Sequence, residues 1–164
     1  MIVLGIDPGL ATVGFGVIKY DGRKFYPLEY GAVVTEAHTP IEERLSEIYD
    51  NICELSTTYS PRAASIEELF FNTNAKTAVN VCQARGVILL ALAKCNVPIY
   101  EYTPLQIKQA VTGYGRAEKE QVMYMVKTLL KLPTVPKPDD TADAIAAAIC
   151  HAYSASSSLF GLNK

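Results

Sequence analysis

Four acidic residues stand where a globular chain seldom places them. Asp7 follows the apolar run Ile2-Val3-Leu4-Gly5-Ile6, and Glu67 follows Ala63-Ala64-Ser65-Ile66. A carboxylate closing a buried run is costly to desolvate unless it is paired or bound to a metal. Asp140 and Asp143 are three residues apart at the head of a small, apolar stretch, DDTADAIAAAI, so they share one helix face. Each has a plain structural account when taken singly. Asp7, before Pro8-Gly9, can close a turn. Asp139 or Asp140 can cap a helix, and Asp143 suits the positive end of its dipole. Glu67 can pair with a basic residue. Together, four carboxylates from three distant segments would repel one another unless a cation lay between them. An all-oxygen ligand set suits Mg²⁺ or Mn²⁺ rather than zinc, and a carboxylate cage that leaves water on the metals fits two-metal phosphoryl chemistry.

The elements that must hold these acids can be read from periodicity. Residues 1–7 form a strand, with Gly9 and Gly14 punctuating the turn after it. Val13–Tyr20 resumes in extended form, Asp21-Gly22 marks a hairpin, and a third strand spans Phe25–Thr35. Apolar positions then fall at helical spacing from Pro40 to Tyr59. A short buried strand covers 63–67, ending on Glu67. A helix capped by Thr73 or Asn74 runs to Asn96, and Val97–Tyr102 forms a fifth strand. Helical segments are expected at Pro104–Thr112, Ala117–Leu132 and Asp140–Ala155, with a loop at 113–116. Three antiparallel strands followed by strand–helix alternation make an α/β protein, with a mixed sheet and helices on both faces. Parallel first and fourth strands would set Asp7 beside Glu67. Small residues in the last helix would let its amino end, with Asp140 and Asp143, approach them.

Length and composition set the frame. The chain has 164 residues, 49% hydrophobic and 20% charged, which fits one globular domain over 1–155 and a flexible tail over 156–164. There is no apolar run long enough for a membrane span and no basic leader, so a cytoplasmic protein without membrane contact is expected. Cys53, Cys82, Cys95 and Cys150 lack metal-site spacing and read as buried free thiols of a reducing compartment. The net charge of −2 announces no nucleic acid. Between Tyr102 and Pro138, however, six basic residues (Lys108, Arg116, Lys119, Lys127, Lys131, Lys137) face two acids, Glu118 and Glu120. That stretch could meet phosphates or could be a solvated helix face.

The segments GIDPG (5–9), IEELFF (66–71), QARGV (83–87), EYTPLQIKQAVTGYGRAEKEQV (101–122), LLKLP (129–133) and DDTADAIAAAI (139–149) occur in order over nearly the whole chain. Their set resembles the RuvC family of Holliday-junction resolvases, in the RNase H-like superfamily. The resemblance implies an RNase H-like five-stranded sheet. It also implies a homodimeric, metal-dependent endonuclease that nicks a four-way DNA junction symmetrically in recombination and repair. Its catalytic acids and metal ligands would be Asp7, Glu67, Asp140 and Asp143, with two Mg²⁺ ions per site or Mn²⁺ in their place. Glu68 and Asp139 rank behind them as ligands. Phe70 would meet unpaired bases near the crossover. Lys108 and Lys119 would face the scissile region and, with Arg116, contact DNA. A RuvA–RuvB branch-migration partner is implied by family alone. The chain ends SSSLFGLNK and lacks the basic tail of some members.

Three other readings use parts of the same pattern. ATPases of the actin and sugar-kinase kind open with a similar strand and turn, but they need two lobes to enclose a nucleotide. Another RNase H-like nuclease, acting on an RNA–DNA hybrid or on pre-ribosomal RNA, would use the same acids. A catalytically idle junction-binding module would have no need of them.

Overall fold

In the computed structural model, residues 1–68 and 75–159 are described. The strands are β1 (Ile2–Asp7), β2 (Thr12–Tyr20), β3 (Phe25–Val34), β4 (Ala63–Glu67) and β5 (Ile99–Tyr102). The helices are α1 (Ile41–Tyr59), α2 (Ala75–Lys94), α3 (Pro104–Thr112), α4 (Lys119–Leu130) and α5 (Asp139–Leu159). The strands form one sheet in the order β3-β2-β1-β4-β5. β1 is antiparallel to β2, as β2 is to β3, whereas β1–β4 and β4–β5 are parallel. The expected mixed sheet is therefore present.

Two elements differ from the sequence reading. Gly14 belongs to β2 rather than to the turn: it pairs with Asp7 across the ladder. The last helix continues past Ala155 to Leu159, so 156–159 of the expected flexible tail are helical, and 160–164 lie outside the described residues. The proposed caps Thr73 and Asn74 of α2 lie outside the described residues. Of the four free cysteines only Cys150 is buried. Cys82 is exposed and Cys53 and Cys95 are half-buried, contrary to the expectation of buried thiols. No helix among the described residues is long and apolar enough to cross a membrane.

Strand alternation divides the core in two. Leu4, Ile6, Val13 and Val17 pack with Ile48, Ile52, Ile88 and Leu92 of α1 and α2. Val3, Ile18 and Tyr20 pack on the opposite face with α3, α4 and α5. By the same period of two, Gly5 and Asp7 share the α5 face with Val3, and Ser65 and Glu67 share it on β4. A Cβ on Gly5 would stand 1.9 Å from the Ala144 carbonyl oxygen, and one on Gly16 would stand 2.5 Å from Ile145 Cγ1. Glycine in the strands and alanine in the helix thus let α5 lie almost on the sheet backbone. Two side-chain bonds fix its place along the sheet. Thr141 Oγ1 donates to the Gly31 carbonyl at 3.0 Å, and Ser65 Oγ donates to the Ala147 carbonyl at 2.6 Å.

Candidate active site

The register pairs Ile6 with Ile66, so Asp7 and Glu67 end adjacent parallel strands at the same level. Ligand sites in open sheets gather at such carboxyl ends. α5 starts above them and carries Asp140 and Asp143 on its first turns. All four acids are half-buried, and they shape one another electrostatically. Desolvation pushes the Asp7 carboxyl up to about 8, with Asp143, Asp140 and Glu67 adding repulsion. Glu67 is raised by burial and then by Asp143, against the pull of Lys108 and Lys119. Asp7 has no hydrogen-bond donor among the described residues.

Two lysines complete the site. A cavity of about 260 Å³ beside the acids is lined by Glu67, Lys108, Lys119, Asp143 and the apolar side chains of Pro104, Ile107, Val122 and Ala146. Lys108 sits one turn into α3. That helix begins at a capping box in which Thr103 Oγ1 accepts from Gln106 N–H and Gln106 Oε1 accepts from Thr103 N–H. Lys119 is the first residue of α4, where the helix dipole disfavours a cation. Carboxylates offset this, since its Nζ lies 2.5 Å from Asp139 Oδ2 and 3.1 Å from Asp143 Oδ2. Burial weakens the ammonium, but those two hydrogen bonds outweigh it and hold the Lys119 pKa above its ordinary value. The pair with Asp143 is asymmetric. Burial dominates at Asp143 and keeps its carboxyl raised despite Lys119, whereas exposed Asp139 is lowered by the same lysine.

These observations bear on whether the site suits a divalent metal. Among the described residues no three carboxylates are drawn into a finished coordination shell, yet Asp143, Asp140 and Glu67 are close enough to raise the pKa of Asp7. A donor-less, half-buried carboxylate among three others, with a lysine ammonium already seated on one of them, is a set that a hard cation would neutralise.

The sequence-predicted residues divide clearly. Asp7, Glu67, Asp140, Asp143, Lys108 and Lys119 come together. Arg116 is exposed in the loop between α3 and α4 and does not line the cavity. Phe70 lies outside the described residues. Asp139, ranked as a neighbour, is the closer partner of Lys119. Arg85 has a role that sequence reading missed, although QARGV was singled out. Its Nη1 donates to the Glu67 carbonyl at 2.9 Å and its Nη2 pairs with Glu101, so it clamps the end of β4 to β5. Arg85→Ala is expected to slow single-turnover cleavage about tenfold, as losses of supporting residues do, with substrate affinity nearly unchanged. An unchanged rate would mean that the Glu68 N–H to Tyr102 carbonyl bond alone holds that strand end.

Comparison with known proteins agrees with this geometry. A family model described as RuvC, crossover junction endodeoxyribonuclease, matches residues 3–151. The crossover junction endodeoxyribonuclease RuvC of Alkaliphilus metalliredigens is 58% identical over 154 residues, covering 94% of each chain. That of Desulfitobacterium hafniense is 55% identical over 154 residues, covering 94% of this chain and 93% of the relative. Among solved structures, T. thermophilus RuvC in complex with Holliday junction substrate is 38% identical, with a TM-score of 0.92 over 96% of both chains.

Proposed function

This chain belongs to the RuvC family of crossover junction endodeoxyribonucleases, and from that membership we propose how its own residues divide the work. The enzyme is a metal-dependent nuclease that hydrolyses phosphodiester bonds and resolves four-way DNA junctions by paired nicks in recombination and repair. The observation that carries the assignment of roles is the meeting of carboxylates from β1, β4 and α5 beside two lysines.

Asp7, Glu67, Asp140 and Asp143 would hold the metal, which we take to be two Mg²⁺ ions, with Mn²⁺ able to substitute. When bound, it supplies an activated water and charge stabilisation at the scissile phosphate. Lys108 faces the cavity and neutralises the phosphate that enters it. Lys119 sets the position of Asp143 and adds a second positive charge at the rim. Arg116 contacts the DNA backbone outside the cavity. Phe70 keeps the role implied by resemblance, stacking on unpaired bases near the crossover.

One carboxylate cluster cuts one strand, so symmetric resolution requires two copies, and the working form is a homodimer. Its support is α2, where Val79 and Leu90, 56% and 51% exposed, fall on one face of the helix. A RuvA–RuvB branch-migration complex would deliver the junction, and the cytoplasm, with its DNA and reducing conditions, would be the site of action.

The direct test is cleavage of a mobile four-way junction, an RNA–DNA hybrid and a linear duplex of matched sequence. Symmetric paired nicks in the junction alone, lost in EDTA and restored by Mg²⁺, are expected. Light scattering should give twice the chain mass. Preferential cutting of the hybrid would replace the junction reading with another RNase H-like activity.

A further inference from the structure

A second cavity, of about 580 Å³, lies under the carboxyl-terminal half of α5, at the end of the sheet where β2 finishes and β1, β4 and β5 begin. It shares no lining residue with the cavity beside the acids. Arg62 immediately precedes β4, so a strand length of about 16 Å separates it from Glu67. Likewise His151 is two turns along α5 from Asp143, about 12 Å away. The volume is in the range of small-molecule sites and is far more than a simple anion fills.

Its walls carry groups that the nuclease reaction does not use. His151 is only 5% exposed. Its Nδ1 and the Tyr102 hydroxyl are 2.8 Å apart. Burial lowers the pKa of His151, so the ring is neutral at ordinary pH. The phenol is the better acid and the imidazole the better base, so Tyr102 donates and the ring proton resides on Nε2. No hydrogen-bond partner of Nε2 is found among the described residues. His151 is one of the residues that line the cavity.

Tyr100 supplies an aromatic surface. Its ring centroid is 4.3 Å from that of His151, and the side chain remains 47% exposed on the edge strand. At the rim, exposed Arg62 makes no ion pair among the described residues. The one acid lining the cavity, Asp21, is engaged in its own turn. Its Oδ1 accepts from the Arg23 and Lys24 N–H groups and its Oδ2 from the Tyr26 hydroxyl. The groups left for a ligand include an aromatic face, the His151 N–H and the Arg62 guanidinium, beside the Met1 ammonium, which donates to the Tyr20 carbonyl at 2.6 Å.

We propose that this cavity is a binding site for a nucleobase bearing a phosphate, with the base against Tyr100, a base acceptor on His151 Nε2–H and the phosphate on Arg62. A planar ring uses the aromatic face, and an anion uses the guanidinium. Only a ligand with both uses the whole site. The same chemistry is available from a free mononucleotide or from the phosphorylated end of a DNA strand.

The test is a titration of the full-length protein, followed by amide and side-chain NMR, with deoxyadenosine monophosphate. A parallel titration uses a short single strand carrying a 5′-phosphate. Binding of the mononucleotide, with signals of Tyr100, Tyr102 and His151 shifting and affinity about tenfold lower in Arg62→Ala and in Tyr100→Leu, is the expected result. Response to the oligonucleotide alone, with the same losses in the variants, would support the site and identify its ligand as a strand end. Arg62→Ala should cleave junctions at the wild-type rate. No response at millimolar concentration of either probe would overturn the proposal, as would unchanged affinity in both variants or equal binding of deoxyadenosine without phosphate.

Discussion

Asp7→Asn is expected to abolish junction cleavage and, when divalent metal is withheld, to make the fold more stable. The first half follows from the site. Asparagine keeps the shape of the side chain but removes the charge from the most buried of the clustered acids, and a loss of about a thousandfold or more, about 4 kcal/mol of barrier, is expected. The phosphate contacts proposed for Lys108, Lys119 and Arg116 are untouched, so junction binding should persist. The second half follows from burial. The Asp7 carboxyl is pushed up to about 8 in the folded chain from the 3.8 of an ordinary aspartate, so the native state holds its proton more tightly than the unfolded state does. That contribution is fully present below about pH 4 and is lost as pH rises through 8. At about 1.4 kcal/mol per pH unit the ceiling is about 6 kcal/mol. Denaturant melts in EDTA should show wild-type stability falling between pH 4 and 8. Asp7→Asn should retain more stability at pH 8.5, and Mg²⁺ should flatten the wild-type slope. Equal stability of the two proteins at pH 8.5 would mean that Asp7 is better solvated than its place between β1 and α5 implies.

The acids were legible in the sequence because each interrupts a strong pattern. Asp7 and Glu67 end apolar strands, and the period of two already places Asp7 on the face of Gly5 and Glu67 on the face of Ser65. Asp140 and Asp143 declare a shared helix face by their spacing. What stayed hidden depends on partners far away in the chain. Lys119 stood out only by resemblance, because its carboxylate partner Asp139 is 20 residues on, beyond a proline-rich connector. Arg85 acts on a backbone carbonyl, which has no sequence signature, 18 residues before it. His151 reads as one polar residue in an apolar helix until Tyr102, 49 residues earlier, is folded against it. Glycine is the hardest case. Gly14 looks like a turn residue because a missing side chain shows no pattern until the helix that needs the space is in place.

Gly14 also carries the second large expected effect. Gly14→Ala is expected to slow cleavage about a hundredfold while the chain still folds and still binds the junction. An added Cβ would stand 2.1 Å from the Asp140 carbonyl oxygen and 3.0 Å from Asp140 Cβ. The two nearest obstructing atoms belong to the Asp140 carbonyl of the helix backbone, and Cβ is fixed to that backbone, so no side-chain rotation relieves the contact. α5 cannot slide along the sheet without breaking the Thr141–Gly31 and Ser65–Ala147 bonds, nor sink, because Gly5 and Gly16 are already in close contact with it. The relief left is for its amino end to lift by about 1 Å or more. Overpacking of this kind costs about 1–3 kcal/mol of stability, which a two-layered core can absorb. The same movement carries Asp140 and Asp143 away from Asp7 and Glu67, and a displacement of about 1 Å at reacting groups can cost about a hundredfold in rate. Destabilisation alone would be repaired by lowering the temperature. A lifted helix would not be, and it would also raise the Mg²⁺ concentration needed for half-maximal cleavage. Single-turnover rates across a Mg²⁺ titration, well below the melting temperature, separate the two causes. A folded Gly14→Ala cleaving at the wild-type rate would mean that α5 has slack above β2, and that the spacing of the four acids is set by the bound metal rather than by the fold.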